Sequence, residues 1–174
     1  MAQRPHPDVS PPPGVPPAAP PTAGVATTPD PAGAGLLRID HVGIAVADLD
    51  QAIEFHQTLF GMCCEQVEEH PGEGVREATM RVGPDPAASR VQLLAPLSPS
   101  SAVARFLDRS GPGLQHVAYT VADLDATCSA LRDRGIRLLY RAAVTGTAGS
   151  RVNFVHPRDA GGALVELVEP AEAG

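Results

Sequence analysis

Residues 39–52 read IDHVGIAVADLDQA and residues 114–127 read LQHVAYTVADLDAT, so His41 returns as His116 75 residues later. A second echo follows at almost the same offset: RVQLLAP at 90–96 is matched by LVELVEP at 164–170, with Glu166 where Gln92 stood. Self-similarity of this kind means two structural units built to one plan, and it outranks local signals in deciding the fold.

Each unit reads as strand, helix and three strands. Alternation through 38–46 sets Val42, Ile44 and Val46 on one face and Ile39, His41, Gly43 and Ala45 on the other. Around His116 the phase is the same, with Ala118 and Thr120 beside it and Val117, Tyr119 and Val121 opposite. Asp48 can cap the following helix, Gln51 completes a capping box, and Gly61 ends the helix. Strands are predicted at 62–68, 75–82 and 90–95. In the second unit Asp123 starts a helix that stops near Gly135, and strands are predicted at 137–142, 151–155 and 163–169. Both histidines should point away from the helices, into the space that the paired sheets enclose.

Outside the repeat the chain is simpler. Most of its 19 prolines fall before Gly35, and residues 1–35 read as a disordered Pro/Ala-rich arm with neither a secretory nor a transit signal. The folded part is expected over 36–170, as modules 36–97 and 113–170 joined by a linker helix at about 100–110, before the punctuation of Gly111, Pro112 and Gly113. With 43% apolar residues it can bury a core, and no apolar run is long enough to cross a bilayer. A net charge of −7 disfavours nucleic acid. All 13 basic residues are arginine, which excludes Schiff-base chemistry and the lysine-bearing phosphate loop. Three cysteines without metal-site spacing, Cys63, Cys64 and Cys128, suit a reducing cytoplasm.

The repeat itself selects a candidate metal site. His41 and His116 can each offer an imidazole nitrogen, Glu166 a carboxylate and Gln92 an amide oxygen, a donor set suited to an octahedral divalent transition ion with open positions. A closed tetrahedral zinc cage would rarely use an amide. A lone strand histidine is more often structural, but four metal-capable side chains at repeat-equivalent positions are harder to dismiss. His6 falls in the arm, His56 on a helix, His70 in a turn and His156 before Pro157, and none of these joins the set.

Together with GVREATM at 74–80 and GSRVNFVHPRD at 149–159, these stretches resemble the methylmalonyl-CoA epimerases of the vicinal oxygen chelate superfamily, through nearly all of the folded part. The resemblance implies an α+β fold in which two tandem βαβββ modules form a cupped mixed sheet around a divalent metal. That metal is commonly cobalt, with manganese, nickel or zinc as alternatives, and the family forms homodimers. It assigns the metal ligands to His41, Gln92, His116 and Glu166, and proton transfer to Glu77 and Glu166. On spacing alone Glu77 reads as a solvated strand residue beside Arg76. The implied substrate is a coenzyme A thioester whose acidic C–H lies between two carbonyl-type oxygens. Chelation of both oxygens would spread the charge of an enolate, and two carboxylates on opposite faces would invert the carbon.

Three other readings of the fold compete. Glyoxalase-type isomerases usually carry a carboxylate where Gln92 stands. Ring-cleaving dioxygenases resemble the triad His41, His116 and Glu166, but Gln92 would obstruct a position they need. A drug-binding module would need no metal.

Overall fold

The protein is described over residues 35–171 by a computed structural model. The proline-rich arm expected over 1–35 therefore lies, apart from Gly35, outside the described residues. The elements run β1 (Leu36–Ala45), α1 (Leu49–Phe60), β2 (Cys63–His70), β3 (Val75–Arg81), β4 (Arg90–Pro96), α2 (Ala102–Ser110), β5 (Gly113–Val121), α3 (Leu124–Asp133), β6 (Val144–Thr145), β7 (Arg151–Val155) and β8 (Leu164–Glu169). All eight strands form one mixed sheet in the order β2-β3-β4-β1-β5-β8-β7-β6. The two halves mirror each other across the antiparallel β1–β5 seam, and in each half the first strand runs parallel to the fourth. A strand can only return parallel to itself through a long crossover, which here is the helix and hairpin of each module.

Apolar alternation decides what covers each face. From α1, Leu49 and Ile53 pack on Ala78, Met80, Leu93, Ile44 and Val46. From α3, Leu124, Cys128 and Leu131 pack on Val121, Val155 and Leu167. The opposite face stays open as a cup except near Ala45, Val75 and Leu94, where α2 lays down Val103, Phe106 and Leu107. The sheet curls far enough for Thr147, just beyond β6 at one edge, to hydrogen-bond Glu77 on β3 near the other. No helix among the described residues is long and apolar enough to cross a membrane.

The helix ends follow their local signals with one change. Asp48 accepts from the Gln51 backbone N–H at 3.0 Å, and Gly61 closes α1 with φ 63°. Gln51 does not complete the box on the Asp48 backbone; its Nε2 donates to the Asp48 carboxylate at 3.1 Å. The linker helix starts at Ala102, where the Ser101 side chain accepts from Ala104 N–H.

Two expectations are corrected. The strand predicted over 137–142 reduces to a single bridge between Leu138 and Val155. At Tyr140 the buried Asn153 side chain takes the place of a ladder partner, accepting from Tyr140 N–H and donating to its carbonyl, and regular pairing resumes only at Val144–Thr145. Strict alternation also fails along β1 and β5. The register jumps at Asp40 on β1 and at Gln115 on β5, so each residue directly before a repeat histidine is the extra residue of a β-bulge.

Candidate active site

The repeat histidines stand on the two central strands. Gly43 pairs with His116 across the seam, and a Cβ at Gly43 would lie 2.1 Å from the His116 Cε1, so only glycine leaves room for the ring. The two bulges give each ring a holder. At an ordinary strand position the preceding side chain points to the other face, but a bulge lets two successive side chains lie together. His41 Nδ1 is 3.0 Å from Asp40 Oδ1, and His116 Nδ1 donates to Gln115 Oε1. Thr120 donates to the other Asp40 oxygen at 2.7 Å and fixes the carboxylate.

With both Nδ1 atoms engaged as donors, a neutral imidazole turns the lone pair of its Nε2 inward. His41 Nε2 and His116 Nε2 are 3.0 Å apart, and Glu166 Oε2 lies 3.3 Å from the first and 3.1 Å from the second. Three donor atoms at these separations match neighbouring corners of an octahedron with bonds of about 2.1 Å, whose edges are about 3.0 Å. Oxygen acceptors holding the outer nitrogens of metal-binding histidines are the usual supporting arrangement. The residues therefore fit a divalent cation. Burial opposes charge on His41, but the Asp40 and Glu166 carboxylates outweigh it and push the ring up to about 9. Burial would raise Glu166, yet its hydrogen bonds with His116 and His41 hold it at about 2.

Gln92 and Glu77 lie buried in the same cup. Gln92 Nε2 donates to Thr147 Oγ1 at 3.1 Å, and Thr147 in turn donates to Glu77 Oε1. Because the threonine proton goes to the carboxylate, its oxygen must accept from the amide, which leaves the Gln92 oxygen free of Thr147. A cavity of about 360 Å³ is lined by Glu77, Gln92, His116, Tyr140, Phe154 and Glu166. A second of about 430 Å³ lies beside it, meets Gln92, Thr147 and Glu166, and reaches His41 and Asp40. All five residues proposed from the sequence therefore line this double hollow.

Others were missed. Thr147 sits in a short 3₁₀ turn at Thr147–Gly149, a Gly-rich stretch with no periodicity to mark it. His70, read as a turn residue, ends β2 on the cup face, because the strand runs two residues past its expected end. Its Nε2 is 3.2 Å from Glu77 Oε1 and 3.6 Å from Glu68 Oε2. Extending the Glu68 alternation to His70 would have found it.

Comparison with known proteins shows the family and the fold. Residues 40–154 match the sequence profile of the Glyoxalase/Bleomycin resistance protein/Dioxygenase superfamily. The crystal structure of methylmalonyl-CoA epimerase from Mycobacterium tuberculosis is 50% identical and superposes with a TM-score of 0.76, covering 86% of this chain and 94% of that one. A variant of Streptomyces coelicolor methylmalonyl-CoA epimerase in complex with 2-nitronate-propionyl-CoA is 41% identical, with a TM-score of 0.74 over 78% of this chain and 99% of that one. The ethylmalonyl-CoA/methylmalonyl-CoA epimerase of Cereibacter sphaeroides is 33% identical over 75% of this chain and 96% of its own length.

Proposed function

Since the chain belongs to the methylmalonyl-CoA epimerases of the glyoxalase, bleomycin resistance protein and dioxygenase superfamily, we propose that it interconverts (R)- and (S)-methylmalonyl-CoA. The enzyme is an isomerase. Inverting the α-carbon requires a proton to leave one face and another to arrive on the opposite face, with no organic cofactor. The observation that carries this reading is a pair of buried carboxylates in one cavity, Glu77 on β3 and Glu166 on β8. Three strands, β4, β1 and β5, lie between them in the sheet, so a substrate over the centre of the cup meets one carboxylate from each side.

His41, His116, Glu166 and Gln92 would hold a divalent cation; the donor set suits a transition ion, and cobalt is our first choice because the family resemblance implies it. When bound, the ion would supply positive charge to the two carbonyl-type oxygens that flank the acidic carbon. Glu166 has a division of labour available to it. Its Oε2 faces both histidines, which leaves Oε1 for a proton. Glu77 is positioned through Thr147, which also orients Gln92. One carboxylate among four ligands leaves a divalent site net positive, which suits an anionic malonyl group.

The decisive measurement is loss of the substrate α-deuteron to water. Cobalt-loaded protein should exchange it. Measured separately for each epimer, Glu77→Gln should slow exchange of the one whose proton Glu77 takes about 100-fold or more, the range for a general base, while still binding one cobalt. Full exchange of both epimers by that variant would remove Glu77 from the mechanism.

We also assign the protein to the cytoplasm, where its three unpaired cysteines would stay reduced, and to a homodimer. Support for the dimer comes from Phe55, Leu59 and Phe60, which α1 leaves largely exposed. A sedimentation mass of one chain would exclude the dimer.

A further inference from the structure

Away from the two histidines, the hollow holds a second group of donors. Glu68 and His70 alternate on β2 and so share a face, and Glu68 stands directly opposite Glu77 in the ladder. Two carboxylates facing each other across a strand pair repel. His70 Nε2 and Glu68 Oε2 are both shut off from solvent, 3.6 Å apart, and neither has a hydrogen-bond partner. Glu77 Oε1 lies 3.2 Å from the same nitrogen. Orphaned buried donors that converge in this way are costly unless something sits among them.

We propose that Glu68, His70 and Glu77 form a second divalent-cation site, one that takes zinc and silences the enzyme by occupying Glu77. Ligands about 2.1 Å from a tetrahedral zinc are about 3.4 Å from one another, and the two separations at His70 bracket that value. One nitrogen and two oxygens leave the fourth position to water, and the imidazole selects a transition ion over magnesium or calcium. The His70 and Glu68 side chains are 29% and 28% exposed, against 5% for His116 and 10% for Glu166. The side chains of this group are thus less enclosed than those of the two-histidine centre, although the ligating atoms themselves face inward. The inhibitory half of this proposal rests on Glu77 acting as a base; the binding half does not.

The test titrates full-length protein carrying one equivalent of cobalt with zinc, following heat, the visible absorbance of cobalt and α-deuteron exchange. One further equivalent should bind with cobalt absorbance unchanged, while exchange of the epimer that Glu77 serves falls about 100-fold or more as the base is withdrawn. Glu68→Gln and His70→Asn should take up no second equivalent, and zinc should leave each variant's exchange at its own zinc-free rate. The site is overturned if no further zinc binds, if cobalt absorbance disappears in step with exchange, or if both variants take up zinc as the wild type does. Undiminished exchange with both equivalents bound would leave the calorimetric site standing and overturn inhibition, while the role of Glu77 as base is read separately from Glu77→Gln.

Discussion

Asp40 directly precedes His41 in a strand, yet its carboxylate lies on the same side of the sheet, 3.0 Å from the imidazole Nδ1. Only the bulge at Asp40 makes this possible, and the bulge at Gln115 repeats the device for His116. The supporting groups are thus duplicated along with the histidines.

Asp40→Asn keeps the shape of the holder and removes its charge. Losing an outer partner of a metal-binding histidine typically weakens affinity about 10- to 100-fold. Competition for cobalt against a coloured chelator should show a drop in that range, with the far-ultraviolet circular dichroism unchanged.

Gly43→Ala should be far more damaging than its single methyl suggests. The added carbon would meet three atoms of the His116 ring between 2.1 and 2.6 Å, so the ring must leave its place. Overpacking of this kind costs about 1–3 kcal/mol. The melting temperature should fall and one-equivalent cobalt binding should be lost together, whereas Gly61→Asn, at a left-handed helix cap, should spare the site.

Thr147 bridges Gln92 and Glu77, so its two hydrogen bonds should matter more than its methyl. Thr147→Val leaves Gln92 Nε2 and Glu77 without this partner and should lower kcat about tenfold, on the scale of one hydrogen bond to a charged group. Thr147→Ser should retain most of the activity. Steady-state kinetics on methylmalonyl-CoA distinguish the two.

The metal-free protein should show an unusual pH profile. The native His41 value of about 9 lies above that of an unfolded histidine, so its contribution is complete below about pH 6.5 and is lost as pH rises through 9. Glu166 has the opposite sign: its native value of about 2 makes its contribution complete above about pH 4.5 and lost as pH falls toward 2. Urea midpoints of chelator-treated protein should therefore decline from pH 6.5 to 9. Glu166→Gln should flatten that decline.

Much of this was legible in the chain. The duplicated phrase defined two equivalent strand–helix–strand modules, and it picked His41, Gln92, His116 and Glu166 as equivalent donors, because residues at matching places in duplicated modules come to matching places around their symmetry axis. Glu77 needed the family pattern, since a glutamate next to an arginine on an alternating strand looks the same whether its face meets water or a cavity.

What the tertiary structure alone decided lies where alternation breaks or where loops meet. A bulge is an extra residue in one strand, defined only against its partner, so the roles of Asp40 and Gln115 do not exist until β1 and β5 pair. Asn153 replaced the strand predicted over 137–142 by hydrogen-bonding the Tyr140 backbone with its side chain. Thr147 reaches Glu77 because the sheet curls, and curl is a property of eight strands together that no single stretch of sequence carries.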